Sequence, residues 1–282
     1  MLFRSDFGVF DNLTKSREKN LSLLQVKGED YVAFLNNLFA LDLTKMPDKT
    51  GSYGSWLNHQ GKVKFTFSIF HLDESLIIAT ESADRVLLSQ ELKKYKLRSK
   101  VEINNCDDAY RHCYCENDAQ QLLADASFKI FSNHNITSLI FKNNSETLEI
   151  YRNIRTVNSD QLIKMGLPII GEANKEKFNG VFLKLAQFNA ISNSKGCYPG
   201  QEIVNKLSRK KNMKQSFQLF RLENDPNKDI KAGDEIISEN HFVGHVVNVT
   251  SDNYLTAMIL DHNDKSQKVV NGLNLEALEF TS

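Results

Sequence analysis

Eight consecutive residues, Lys195-Gly196-Cys197-Tyr198-Pro199-Gly200-Gln201-Glu202, bring a cation, a thiol, a phenol, an amide and a carboxylate into one short stretch. The largely apolar run Phe182 to Ile191 precedes it, and Ile203-Val204 follows it. Functional groups between two buried segments predict a shaped surface loop on a rigid scaffold, where sites tend to sit. Gly196 and Gly200 are free to take positive φ. Pro199 sets its own φ and biases Tyr198 towards an extended backbone. Gln201 to Leu207 then reads as a helix, with Ile203, Val204 and Leu207 on its buried side. Cys197 would stand just before the amino end of that helix, where free N–H groups and the dipole favour an anion. Lys195 would add positive charge. Both effects lower a thiol pKa and favour the nucleophilic or metal-binding thiolate. A lone cysteine can equally be a small buried hydrophobe, and both readings of Cys197 stand at this level. For Gly196 and Gly200 the expected role is a tight turn.

The elements around this loop read as alternating strands and helices. Leu21 to Lys27 is strand-like and stops at Gly28. Tyr31, Phe34, Leu35 and Leu38 recur at helical spacing after the acidic pair Glu29-Asp30. Val63, Phe65, Phe67 and Ile69 alternate with Lys64, Thr66 and Ser68, which predicts a half-buried strand entered through the turn Asn58 to Gly61. Leu76 to Ala79 is its expected hairpin partner. Ser82 or Asp84 can cap a helix bearing Leu88, Leu92 and Tyr95 on one face. Val101 and Ile103 begin another strand. Tyr110 to Cys115 is strand-like, and a helical stretch is expected near Gln120 to Lys129. Leu139 to Phe141 and Leu148 to Tyr151 read as a second hairpin. After about Lys214 the pattern becomes short strands, Phe217 to Leu222, Glu235 to Ser238, Val243 to Val249 and Tyr254 to Leu260. Turn residues such as Asn224 to Asn227 separate them, and together they predict a small antiparallel barrel. Helices alternating with hairpins favour an α+β architecture over a doubly wound parallel sheet.

The chain has 282 residues, 41% of them hydrophobic and 25% charged, with zero formal net charge. No global charge announces nucleic acid or a membrane, so any such role must rest on a local patch. Met1 to Leu13 holds no long apolar run, so no signal peptide is expected. No segment approaches bilayer length, and a cytoplasmic location follows as the expectation. The four cysteines, Cys106, Cys113, Cys115 and Cys197, are then reduced thiols. Cys113 and Cys115 would face one side of a strand, where core packing is the default and metal binding the alternative. Lys206, Arg209, Lys210, Lys211 and Lys214 form a basic run without an intervening acid. It can dock a polyanion such as RNA or a folate tail, or be a solvated linker. It lacks the aromatic interleaving expected for single-stranded nucleic acid, which counts against direct tRNA binding by this run.

Lys-Gly-Cys-aromatic-x-Gly-Gln-Glu at 195–202 resembles the signature of the YgfZ-type folate-binding proteins, relatives of the aminomethyltransferase (T-protein) of the glycine cleavage system. The resemblance extends to Val26-Lys27-Gly28-Glu29-Asp30, His59-Gln60-Gly61-Lys62-Val63, Lys96-Leu97-Arg98-Ser99-Lys100-Val101, Gly233-Asp234-Glu235 and Val243-Gly244. It implies a three-lobed ring: two interleaved α+β lobes with antiparallel sheets, plus a C-terminal antiparallel β-barrel. On this chain the lobes fall at 1–104, 105–214 with the signature loop, and 215–282. Folate, as tetrahydrofolate or a related form, would sit in the central opening, with no permanently bound metal. The implied function is a folate-binding accessory protein that supports iron–sulfur enzymes, including those that modify tRNA, more a binder than a catalyst. Cys197 would be its reactive thiol, and its partners would be iron–sulfur client or assembly proteins, with no membrane. Two alternatives remain: a folate-dependent one-carbon (aminomethyl-type) transferase, and a thiol oxidoreductase, for which no CxxC pair is present.

Three departures bear on the folate site. Where the family reads Glu-Ala-Gly-x-Pro, this chain has Lys164-Met165-Gly166-Leu167-Pro168. A lysine cannot accept hydrogen bonds as a carboxylate does, so Lys164 suits an anionic folate tail or is a solvated helix-end residue. Trp56 is the one tryptophan. The family's Val-Ala-Arg is Val204-Asn205-Lys206 here, which keeps the charge without the bidentate geometry. The folate-binding candidates are therefore Tyr198, Lys164, Trp56 and Lys206.

Overall fold

A computed structural model describes residues 21–281 except 117–124, 132–133, 153, 211–214, 224–228 and 261–265. The first part runs β1 (Leu21–Lys27), α1 (Tyr31–Leu38), β2 (Thr50–Leu57), β3 (Val63–Leu72), β4 (Ser75–Glu81), α2 (Arg85–Lys96) and β5 (Glu102–Asn105). The second runs β6 (Tyr110–Glu116), β7 (Ala126–Phe131), β8 (Ile136–Lys142), α3 (Ser145–Arg152), β9 (Thr156–Val157) and α4 (Ser159–Lys164). These strands form one nine-stranded sheet in the order β5-β1-β4-β3-β2-β7-β8-β6-β9. Its pairings are antiparallel except where β2 meets β7 through the parallel pair Thr50 and Ser127. A 3-10 turn (Leu185–Phe188) and α5 (Gln201–Ser208) follow. β10 (Ser216–Leu222), β11 (Glu235–Ser238), β12 (His241–Val249), β13 (Tyr254–Ile259), β14 (Lys268–Val270) and β15 (Leu273–Leu278) close into an antiparallel barrel. The architecture is α+β with a C-terminal antiparallel barrel, as the pattern predicts. The barrel has two more strands, β14 and β15, than the pattern announces.

Strand β3 departs from its predicted half-exposed state. Phe65, Phe67 and Ile69 pack with Leu35, Leu38, Trp56, Leu88 and Leu92 beneath α1 and α2. The other face is buried as well. The Thr66 hydroxyl accepts from Ile170 N at 2.8 Å, and the Ser68 hydroxyl lies 3.1 Å from both Tyr114 Oη and Ser138 Oγ. Lys64 pairs with Glu91 at 2.6 Å. Polar groups can be buried when they find partners, and these partners come from residues far along the chain.

Three local expectations are corrected. Leu148 to Tyr151 belongs to α3, not to a hairpin. The Asn144 side chain accepts from Thr147 N at 2.9 Å, an N-terminal helix signal stronger than the alternation it competes with. Residues 126–129 of the expected helix are strand β7, because they pair with β8; its earlier residues up to 124 lie outside the described residues. Asp84 does not cap α2 with its side chain. Its carboxylate accepts from Glu172 N at 2.6 Å instead. An unpredicted capping box, Asn158 with Gln161, starts α4. Among the described residues no helix is long and apolar enough to cross a membrane.

Candidate functional site

The signature loop is fastened from below and behind. Lys195 is buried, and its ammonium donates to the carbonyls of Asn36 (2.5 Å), Phe39 (2.8 Å) and Leu41 (2.9 Å). These carbonyls lie at and just beyond the carboxyl end of α1, where free acceptors and the dipole favour a cation. Burial pushes the Lys195 amine down to about 8, partly opposed by Asp42. Lys195 is therefore a cation of the loop's floor. Its carbonyl accepts from Gln201 Nε2 at 3.2 Å, which ties the loop to the first turn of α5. Tyr198 is also buried; its hydroxyl donates to the Ser192 carbonyl at 3.1 Å, and burial raises its pKa to about 12.

Gly200 marks the other fixed point. It sits at φ 82° immediately before α5, and a Cβ there would meet Asn58 O at 2.4 Å. No other residue fits, because the loop lies directly on the Asn58–Gly61 turn between β2 and β3. The matching expectation for Gly196 is corrected: it is absent from the positive-φ residues, and a Cβ on it would meet nothing within 4 Å. The loop is open to solvent there. Beside it, Cys197 is the exposed cysteine of the four. In α5, Val204 is buried, Ile203 and Leu207 are half-buried, and Glu202 and Lys206 are exposed.

The remaining sequence candidates do not gather around Cys197 through any contact. Trp56 is 1% exposed. Its ring packs on Phe39 and Phe65, with Lys64 Nζ 4.3 Å from its centroid, so it presents no free face for stacking. Lys164 ends α4 and pairs with Asp252 of the barrel at 2.6 Å, with its ammonium 5.0 Å from the Tyr254 centroid. Of the basic run, Lys206, Arg209 and Lys210 are exposed, while Lys211 and Lys214 lie outside the described residues.

A second feature was not visible in the motif. A cleft of about 650 Å³ opens where β1, β6 and the start of α4 meet Ser251 of the barrel, lined among others by Leu23, Tyr110, His112, Tyr114 and Asn158. His112 Nε2 lies 2.8 Å from Ser138 Oγ, and burial pushes its pKa down to about 3, so the ring is neutral. Its Nδ1 is buried with no hydrogen-bond partner among the described residues. Ser159, on the lining, donates to Glu81 at 2.9 Å. Burial lifts Glu81 to about 7, helped by Asp84 and Asp160. Glu81 stands behind Ser159, and the lining itself offers Asn158, Ser159 and Gln161 as polar groups to orient a bound ligand. The aromatic and amide lining and the volume suit a flat heterocycle. The legible signal was the alternation Tyr110, His112, Tyr114 on one strand face. Among the described residues, no group of three or more His, Cys, Asp or Glu side chains could hold a metal ion.

No family model matches the chain. Its sequence is 27% identical over 233 residues to the tRNA-modifying protein YgfZ of Buchnera aphidicola subsp. Schizaphis graminum, covering 74% of this chain and 73% of that one. It is 27% identical over 240 residues to that of Pectobacterium atrosepticum, covering 76% and 72%. The chain is similar in sequence to YgfZ proteins. In structure it is similar to the glycine cleavage system aminomethyltransferase T of Bartonella henselae, with a TM-score of 0.65 at 11% identity over 99% of this chain and 90% of the other. At that identity the likeness is one of fold. The YgfZ-like motif and the aminomethyltransferase-like fold thus agree on the scaffold that carries the signature loop.

Proposed function

We propose that the chain is a folate-binding accessory protein that supports iron–sulfur-dependent tRNA modification, with Cys197 as its thiol handle. The observation that carries this reading is the exposed Cys197 on a loop pinned by Lys195 on one side and Gly200 on the other. A thiol presented at a fixed point is suited to accept a group from, or briefly contact, a partner protein's sulfur or metal centre. The name shared by the YgfZ relatives supports the link to tRNA modification.

The cleft beside Tyr110 and His112 is the proposed seat of a reduced folate, supported by its volume and its tyrosine and amide lining. Asn158 and Ser159 would orient its heterocycle, and the half-exposed Tyr110 ring would line one face. When bound, the folate supplies a one-carbon carrier. In this arrangement Trp56 and Lys195 hold the scaffold rather than the ligand.

Two measurements test the reading. Cys197→Ser should leave the melting temperature unchanged while abolishing support of an iron–sulfur tRNA-modifying enzyme in cells that carry only the variant. Full support by the serine protein would falsify the thiol role. Calorimetry with mono- and polyglutamyl tetrahydrofolate tests the ligand, and absence of heat with either form removes folate from the proposal.

A further inference from the structure

The end of α2 and the residues after it carry Lys93, Lys94, Lys96, Arg98 and Lys100 with no acid among them. Lys94 is paired with Glu91, and Lys100 with Glu29. Lys93, Lys96 and Arg98 make no ion pair among the described residues. Lysines in a last helical turn complement the negative end of the helix dipole, which accounts for some of this charge. It does not account for the two apolar residues set among the cations. Tyr95 is 47% exposed and Leu97 is 89% exposed.

Both are held in place. The Tyr95 ring stands edge-on to the buried Trp56 ring, 5.6 Å between centroids, with Lys64 Nζ 5.8 Å from the Tyr95 centroid. One side of Tyr95 is anchored and the other faces solvent. Leu97 follows the helix at φ 33° and ψ −101°, in left-handed space where glycine is the usual residue. An exposed leucine in a strained conformation contributes little to the core. Strain of this kind marks functional surfaces.

We propose that Lys93 to Arg98 form a docking surface for RNA, with Lys93, Lys96 and Arg98 on phosphates, Tyr95 stacked on an unpaired base and Leu97 against the adjoining sugar or base. Cations interleaved with a preset aromatic ring take backbone and base together, and a ring already held costs little to order. A membrane surface would call for a broad apolar face, whereas this end of α2 offers one leucine. The function proposed above needs no direct contact with RNA, so this surface is an addition to it.

The test is fluorescence anisotropy of a labelled in vitro tRNA transcript with the full chain across a salt series. The triple variant Lys93→Glu, Lys96→Glu, Arg98→Glu should bind at least about tenfold more weakly, with a salt slope shallower by about 2. Tyr95→Ala should weaken binding with the slope unchanged. Leu97→Gly should raise the melting temperature while weakening binding, a combination that damage to the fold cannot produce. Cys197→Ser should bind tRNA as the parent chain does, which separates this surface from the signature loop. Failure of the parent chain to bind the transcript at low salt would overturn the proposal. So would unchanged affinity in both Tyr95→Ala and Leu97→Gly, or capture of phosphatidylglycerol vesicles in preference to tRNA.

Discussion

The Lys195 ammonium donates to the Phe39 carbonyl at 2.8 Å, joining residues 156 positions apart. It does the same for Asn36 and Leu41, so one buried cation satisfies three backbone acceptors at the end of α1. Lys195→Met keeps the apolar stem and removes the donor. The orphaned carbonyls should lower stability by about 3 kcal/mol. Urea unfolding measures it, and a loss well under 1 kcal/mol would mean that water or other donors replace the ammonium.

The two signature glycines should behave differently. Gly200→Ala forces a Cβ to 2.4 Å from Asn58 O at φ 82° and should cost at least about 2 kcal/mol. Gly196→Ala meets nothing within 4 Å and should change stability by no more than about 0.5 kcal/mol. Equal losses would mean that Gly200 does not rest on the Asn58–Gly61 turn in solution.

Cys197 should react with iodoacetamide faster than the other three cysteines. Cys106, Cys113 and Cys115 are buried, and burial pushes the Cys106 thiol up to about 12. Cys113 is also raised, while the hydrogen bond from its thiol lowers the pKa of Cys115. Cys115 stays protected because no reagent reaches it. Mass spectrometry of peptides labelled over time reads the order, and first labelling at any buried position would sink the prediction.

Glu81 gives a pH signature. Its pKa is raised from 4.5 to about 7 in the folded chain. Between those values the folded state holds a proton that the unfolded state has lost. The resulting stabilisation is fully present below about 4.5 and disappears as pH rises through about 7. Glu81→Gln keeps an acceptor for Ser159 and never ionises. It should match the parent chain near pH 4.5 and exceed its stability above pH 7, by at most about 3 kcal/mol. A gap that does not widen between those limits would place Glu81 in a wetter setting.

The amino-acid sequence determined the signature loop, the strands β1 and β4, the helices α1 and α5 and the start of the barrel, because each is written in local signals. Glycine and proline punctuate the loop, and apolar residues recur with the period of their element. It left Cys197 open between a reactive thiol and a buried hydrophobe, and the structure exposes it while burying the other three cysteines. Tertiary structure decided what the polar residues do. Lys195 turns inward to α1, Thr66 and Ser68 are buried against Ile170 and Tyr114, and Lys164 closes onto Asp252. Each of those partners lies 46 or more residues away. The pattern Leu148 to Tyr151 was ambiguous for the related reason that a short apolar run fits either period, and the Asn144 cap decided it. The cleft at His112 forms only when β1, β6, α4 and the barrel meet, so no single segment could announce it. Local periodicity reports which way a side chain points; which partner satisfies a buried polar group depends on the whole chain's path.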